Sequence, residues 1–228
     1  MLLNLLLTAF VALFPPASAS VKDALFCTTK GTVLHYQRHG ASDGKLWWDH
    51  TESIDDVSSE ADGLHVGVTL SITSKIGKSP LKTPVRSEAL VHKDGSVEID
   101  VAAAAAEAAR QKFSAFQFTS SGGTTVLPAT IAPGDVLEEI HSVVSWSGIN
   151  LTIDYTERSV LRRETITVPA GTYDCIVVQE HKLEKAPLHR RERITLTWYA
   201  PGVGMVRHDT LLTDGRTETS EVLVSVER

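Results

Sequence analysis

The chain has 228 residues, with 22 Lys and Arg against 28 Asp and Glu and a formal net charge of −6. That balance argues against a nucleic-acid binder, which needs a basic surface to meet phosphates. The length suffices to bury a real core in one large β domain, which we favour over two small ones.

Residues 1–19 carry no charge, hold an apolar run over residues 5–14, and end in Ala17-Ser18-Ala19, a small-x-small pattern ahead of a cut before Ser20. This is the pattern of a secretory signal peptide, with the terminal amine as its only positive end. A short membrane anchor is the main alternative, although the run is well below the ~20 residues needed to span a bilayer. No later segment is apolar enough to cross one. Cys27 lies eight residues beyond the expected cut and follows Phe26, which makes it a poor lipidation site. Two cysteines in an oxidising compartment predict a single disulfide, Cys27 to Cys175. Closing a loop of about 150 residues, it would contribute ~5 kcal/mol less any strain. Two buried thiols are the alternative.

Residues 31–39 read as a first strand, with Val33 and His35 on one face and Leu34 and Tyr36 on the other. Leu46, Trp47 and Trp48 begin a second. Adjacent strand residues point to opposite faces, so these two tryptophans cannot both be core; the same geometry separates Asp55 and Asp56, which invite comparison with a catalytic carboxylate pair but read as solvated. Ala61-Asp62-Gly63 is a hairpin signal, followed by Leu64, Val66, Val68, Leu70 and Ile72 in strict alternation. A loop over residues 75–84, a strand over 85–91, the turn Lys93-Asp94-Gly95 and a strand over 97–101 follow. Asp100 caps a helix from Ala102 to about Phe113, built on five alanines. Phe113, Phe116 and Phe118 at its exit supply apolar area, so the segment either lies across a sheet, closes a barrel mouth or plugs one end of the core.

Residues 120–123 read as a flexible loop and 127–135 as an ordered connection. Residues 136–146, 149–155 and 160–168 then read as strands, the first two joined at Ser147-Gly148. Pro169 and Gly171 mark a hairpin corner, since proline pre-sets φ and glycine takes the left-handed conformation. Ile194, Leu196 and Trp198 alternate with Thr195, Thr197 and Tyr199, and Pro201-Gly202 suits a type II turn. After Thr213-Asp214-Gly215 a last strand places Val222, Val224 and Val226 inward. The total is about eleven strands and one short Ala-rich helix. Hairpin signals recur, so the expected fold is mainly β, a single antiparallel meander curled into a half-barrel or open barrel over residues 20–228.

The run Val168-Pro169-Ala170-Gly171-Thr172-Tyr173-Asp174-Cys175, with Trp198-Tyr199-Ala200-Pro201-Gly202-Val203-Gly204-Met205-Val206, resembles the exported bacterial proteins grouped as domain of unknown function 3108-like, also called the TapB family. Weaker matches are residues 31–36, Leu127-Pro128 with Gly134-Asp135, and Arg158-Ser159-Val160 with Glu164. Residues 75–123 depart from the pattern. The resemblance implies a periplasmic or outer-surface protein with a curved antiparallel sheet, similar to half-open barrels that hold lipid-like ligands or partner segments, and no established reaction.

Of the nine histidines, His35 and His39 share a face but stand ~13 Å apart, too far to ligate one metal. A site built across strands from His181, His189 and His208 is the remaining metal option, and solvent-facing histidine is the default. No Gly-x-Ser-x-Gly elbow is present. Gly202-Val203-Gly204 starts like a dinucleotide fingerprint, yet Arg207 stands where the third glycine belongs and a strand follows. Asn150-Leu151-Thr152 is a glycosylation sequon only in a eukaryotic host.

A positive cluster stands out: Arg158, Arg162, Arg163, His189, Arg190, Arg191, Arg193 and Arg207. If these converge at one end of the sheet they would receive a carboxylate, a phosphate or an anionic lipid head. Interleaved Glu157, Glu164, Glu184 and Glu192 make a ladder of surface ion pairs the plainer reading. The expectation is an exported, non-catalytic protein without cofactor or metal, binding an apolar or amphipathic ligand. Trp146, Tyr155, Trp198 and Tyr199 are its candidate lining, with Arg162, Arg191 and Arg207 as candidate anion contacts. An envelope adaptor that pairs with a partner chain through an open sheet edge is the alternative.

Overall fold

The computed structural model describes residues 20–77, 79, 81–112 and 116–228. The leader read from residues 1–19 and the aromatic Phe113 lie outside them. Among the described residues the elements are β1 (Val33–Gly40), β2 (Leu46–Ser59), β3 (Gly63–Ser74), β4 (Val85–His92), β5 (Val97–Asp100), α1 (Val101–Lys112), β6 (Thr119–Gly122), β7 (Thr124–Leu127), β8 (Ile140–Trp146), β9 (Ile149–Val168), β10 (Gly171–Ala186), β11 (His189–Ala200), β12 (Gly204–Leu211) and β13 (Thr217–Glu227).

All thirteen strands join one sheet in the order β6-β8-β9-β10-β11-β12-β13-β1-β2-β3-β4-β5-β7, antiparallel at every step. Its two edge strands, β6 and β7, are separated by the single residue Gly123. One peptide step is ~3.8 Å, so the sheet has curled until its edges touch through the chain itself. The result is a barrel with a seam, and α1 packs along that seam against β4, β6, β7 and β8.

Alanine is what lets the helix lie there. Asp100 Oδ1 accepts hydrogen bonds from the backbone N–H of Ala102 and Ala103, both 2.9 Å, capping the first turn as expected. Ala102 and Ala106 are fully buried. Gly123, at φ 87°, passes so close that a Cβ there would stand 2.7 Å from the Ala102 methyl. Ala105, Ala106 and Ala109 meet Phe118, Val144, Trp146 and Leu151 in a small second core.

The hairpin corners at Pro169 and Pro201 are present, with Val168 facing Gly171 and Ala200 facing Gly204. Gly202 at φ 69° occupies the third position of the second turn. Ser147 and Gly148 both take positive φ, joining β8 to β9 by a primed two-residue turn.

Three expectations change. The strand count is thirteen, because residues 119–127 are two short strands that seal the seam rather than loop and connection. The segments read as separate strands at 149–155 and 160–168 are one twenty-residue strand. It bends at Glu157, which takes φ 50°, and slips register there against β10. The predicted disulfide does not form: Cys27 and Cys175 are both buried free thiols. Strand alternation explains it, since Cys175 opposes Glu164 on the Trp198 side of the sheet, whereas Cys27 borders the interior.

Candidate functional site

Leu34, Ile54, Val97, Ile99, Leu127 and Ile140 point into the curled sheet and, with Tyr155 and Tyr199, surround a cavity of about 280 Å³. At one end the segment of Leu25, Phe26 and Cys27 lies across it, held where the Gly202 N–H donates to the Ala24 carbonyl at 2.8 Å.

The cavity wall has few polar groups, and each is already engaged. Arg158 donates from Nε to Glu180 Oε1 at 2.8 Å, and from Nη1 to Thr125 Oγ1 at 3.0 Å and to the Glu138 carbonyl. Glu180 also accepts from Thr195 Oγ1 at 3.4 Å. His208 Nδ1 is 2.9 Å from Thr197 Oγ1. Burial, seconded by the Arg38 charge, lowers the His208 pKa to about 4, so the ring is neutral at pH 7. Burial likewise pushes the Tyr199 phenol well above its ordinary value. Glu52, also in the wall, lies 3.3 Å from His50 Nε2, so the interior is a mainly apolar space whose charged groups are paired, Arg158 with Glu180 and Glu52 with His50.

On the other side of Tyr155 and His208, which border both spaces, is a recess of about 130 Å³ lined by Arg38, Lys182, Arg191, Arg193, Thr195, Thr210 and the single carboxylate Glu184. Lys182 Nζ pairs with Glu184 at 2.8 Å. Arg193 and Arg191 hold Glu218 at 2.8 and 3.1 Å, and Arg38 holds Glu221 at 2.6 Å. Neither Glu218 nor Glu221 lines the recess, so the charge it presents is mainly positive.

The sequence candidates divide by the strand face they occupy. Tyr155 and Tyr199 line the cavity, and Arg191 lines the recess. Trp146 does not line it; it packs against Phe118 beneath α1, ring centres 5.4 Å apart. Trp198 lies on the opposite face from Tyr199. There Arg207 sits over its ring at 4.8 Å and Arg162 at 5.9 Å, and its indole N–H donates to Glu164 at 2.9 Å. Arg162 and Arg207 are thus an outer clamp on a tryptophan, paired with Glu164 and Asp209.

The eight-member positive cluster does not converge as a whole: of the eight, Arg191 and Arg193 share the recess. Arg158 is buried in the wall, Arg163 donates to the Ile131 carbonyl at 2.9 Å, and Arg190 pairs with Glu192. Neither do the three histidines meet: His181 pairs with Glu192, His189 with Glu184, and His208 turns inward to Thr197. Among the described residues, the group with ligand atoms close enough for a cation is Glu60, Asp62 and His65, at the β2–β3 turn on the surface.

Sequence reasoning missed Arg38 and Lys182, which lie on strands read only for their apolar residues. Arg38 follows Leu34 and Tyr36 at period two, and Lys182 directly opposes Arg193. Parity along the strands was the signal available.

No curated protein matches the chain. Two solved structures share its fold. A proposed exported protein of YmcC-like fold from Bacteroides fragilis superposes with a TM-score of 0.71 at 18% identity, covering 89% of this chain and 98% of its own. A proposed lipoprotein from Parabacteroides distasonis gives a TM-score of 0.73 at 18% identity, covering 92% and 99%. At that identity the likeness concerns fold alone. Sequence goes further: the DUF3108-like family model matches residues 29–223, corners, seam and cavity wall included, and the chain belongs to that family.

Proposed function

We propose that the protein is an exported, non-catalytic β protein that accommodates an apolar or amphipathic ligand inside its curled sheet. The observation that carries this is the 280 Å³ cavity, apolar over most of its wall and adjoined by a polar recess at Tyr155 and His208. A space of this kind, with a few fixed polar groups, is the usual form of a small-molecule site. The non-catalytic part is supported by the engagement of the buried polar groups with one another: Arg158 with Glu180, His208 with Thr197. Export is supported by the leader-like pattern of residues 1–19 and by the likeness in fold to a proposed exported protein and a proposed lipoprotein. Pairing with a partner through an open edge has less to work with, because each edge strand is four residues long.

The test is uptake of an apolar fluorophore, N-phenyl-1-naphthylamine, by the purified protein, together with native mass spectrometry for co-purifying molecules. Saturable, one-to-one uptake is expected, abolished by filling the cavity with Val97→Trp in a variant that still melts cooperatively. Failure of the wild-type protein to take up the dye or to carry any small molecule would overturn the reading.

A further inference from the structure

The recess and the cavity adjoin, with Tyr155 and His208 in the walls of both, and the strands run from one to the other. Along β11 the inner-face residues Tyr199 and Thr197 border the cavity, and the next ones on the same face, Thr195, Arg193 and Arg191, border the recess. Along β10 Glu180 borders the cavity, then Lys182 and Glu184 the recess. On β1 the sequence is Leu34, then Arg38; on β12 it is Met205, then His208 and Thr210. On β10, β11 and β1 the inner face therefore becomes cationic in the same direction, at Lys182, at Arg193 and Arg191, and at Arg38. From Tyr199 to Arg191 is eight residues, ~26 Å of strand.

From this gradient we infer that the ligand is a single-chain amphiphile with an anionic head: the chain lies in the apolar cavity and a carboxylate or similar anion rests among Arg38, Lys182, Arg191 and Arg193. This rests on the proposed function and adds the chemistry of the head group. A cavity of about 150 Å³ takes up one benzene, so 280 Å³ holds a chain of roughly ten carbons. The recess is ready for an anion because the carboxylates that steady its arginines stand behind them. Glu218 holds Arg191 and Arg193, and Glu221 holds Arg38 through both Nε and Nη2. Those pairings fix guanidinium groups in place, so less order is lost when an anion arrives. Lys182, lying 5.4 Å from the Tyr155 ring centre, stands where the two spaces join. A cationic or uncharged head would meet four positive groups and one carboxylate, and gain nothing from them.

The experiment is calorimetric titration of the wild-type chain with dodecanoate, dodecanol and dodecyltrimethylammonium, repeated with the Lys182→Met, Arg191→Gln double variant. Hydrogen bonds between charged groups are among the stronger ones in a protein, so dodecanoate should bind about tenfold or more tighter than dodecanol. The cationic amphiphile should bind most weakly. The double variant should lose that preference while keeping its affinity for dodecanol, and raised salt should narrow the preference in the wild-type protein. Equal affinity for dodecanoate and dodecanol in the wild-type chain overturns the anionic head and leaves the apolar cavity standing. Binding of none of the three overturns both. If the double variant fails to fold, the wild-type selectivity and its salt dependence decide the matter alone.

Discussion

His50 Nδ1 lies 3.0 Å from Glu221 Oε1, both buried in the barrel wall, with the His50 ring stacked on Tyr36 at 5.0 Å and Arg38 on the other Glu221 oxygen. Burial pushes the His50 pKa down, but the hydrogen bond to Glu221 and the Glu52 carboxylate 3.3 Å from Nε2 outweigh it and raise the pKa to about 9. Burial pushes Glu221 up, and the His50 hydrogen bond with the Arg38 charge pulls it down to about 2. Position along the wall thus decides sign: His50 is charged, and His208, without a carboxylate in hydrogen-bond reach of Nδ1, is neutral.

Stability should therefore peak near pH 6.5. A histidine with a raised folded pKa contributes stability that is complete below its unfolded value of about 6.5 and lost as pH rises through about 9; His50 behaves so. His208 has a folded pKa lowered to about 4, so the unfolded chain binds the extra proton and stability falls as pH drops from 6.5 towards 4. Glu221 adds a further loss between about 4.5 and 2. Melting temperature against pH should show both limbs. His50→Gln should flatten the alkaline limb, and His208→Gln the limb between pH 6.5 and 4. A wild-type profile flat from pH 5 to 9 would contradict this account.

The buried Arg158–Glu180 pair makes a different prediction. Removing one partner leaves a desolvated charge alone, which costs about 3–5 kcal/mol. Arg158→Met should lose that much in urea denaturation, together with the contacts to Thr125 and the Glu138 carbonyl that tie β7 and the 136–139 segment to the wall. Adding Glu180→Leu should restore most of the loss, because two apolar side chains of similar size suit a wall that is otherwise apolar. A double variant no more stable than Arg158→Met alone would show that the pair is not what the single change breaks.

How far the sequence foretold this arrangement depended on the range of the interaction. Local signals held: Pro169, Pro201-Gly202 and Ser147-Gly148 make corners, and Asp100 caps the helix, because each is settled within four residues. Faces could be assigned only relative to a neighbour. Alternation separates Trp198 from Tyr199 with certainty, but nothing local says which of them turns inward. The same limit applied to Trp146, whose partner Phe118 is brought to it by the β6–β8 pairing. The arginines of β9 disperse because register slips at Glu157 and Leu161 turn neighbours to different sides, and those of β11 because plain alternation separates Arg190 from Arg191 and Arg193.

Gly63 shows a signal that was right for another reason. Asp62-Gly63 marked the β2–β3 hairpin, yet Gly63 does not take the positive φ that such a turn uses. It is required by a neighbouring strand: a Cβ at Gly63 would stand 2.2 Å from the Val91 carbonyl oxygen, part of the backbone of β4. Gly63→Ala should cost about 3 kcal/mol, whereas Gly215→Ala, with nothing within 4 Å, carries only the strain of its φ, about 1 kcal/mol. Equal losses for the two in thermal denaturation would count against a steric role for Gly63.

The cysteines give the last prediction. Cys27 and Cys175 are each buried, and Cys175 is held at its sulfur by the Tyr173 carbonyl at 3.7 Å. Burial, with the Asp174 and Glu164 charges, raises the Cys175 pKa to about 11, so little thiolate is present at pH 8. Both thiols should therefore be silent to a disulfide reagent in the folded protein, and both should react within seconds in 6 M guanidinium without reductant. Intact mass should be the same before and after reduction. Because no bond closes the long loop between them, Cys27→Ala should lose only the packing of one small side chain, about 1 kcal/mol. Cys175→Ala should behave alike. A mass two units lighter before reduction, or a loss near the ~5 kcal/mol expected of a long-loop crosslink, would restore the bond.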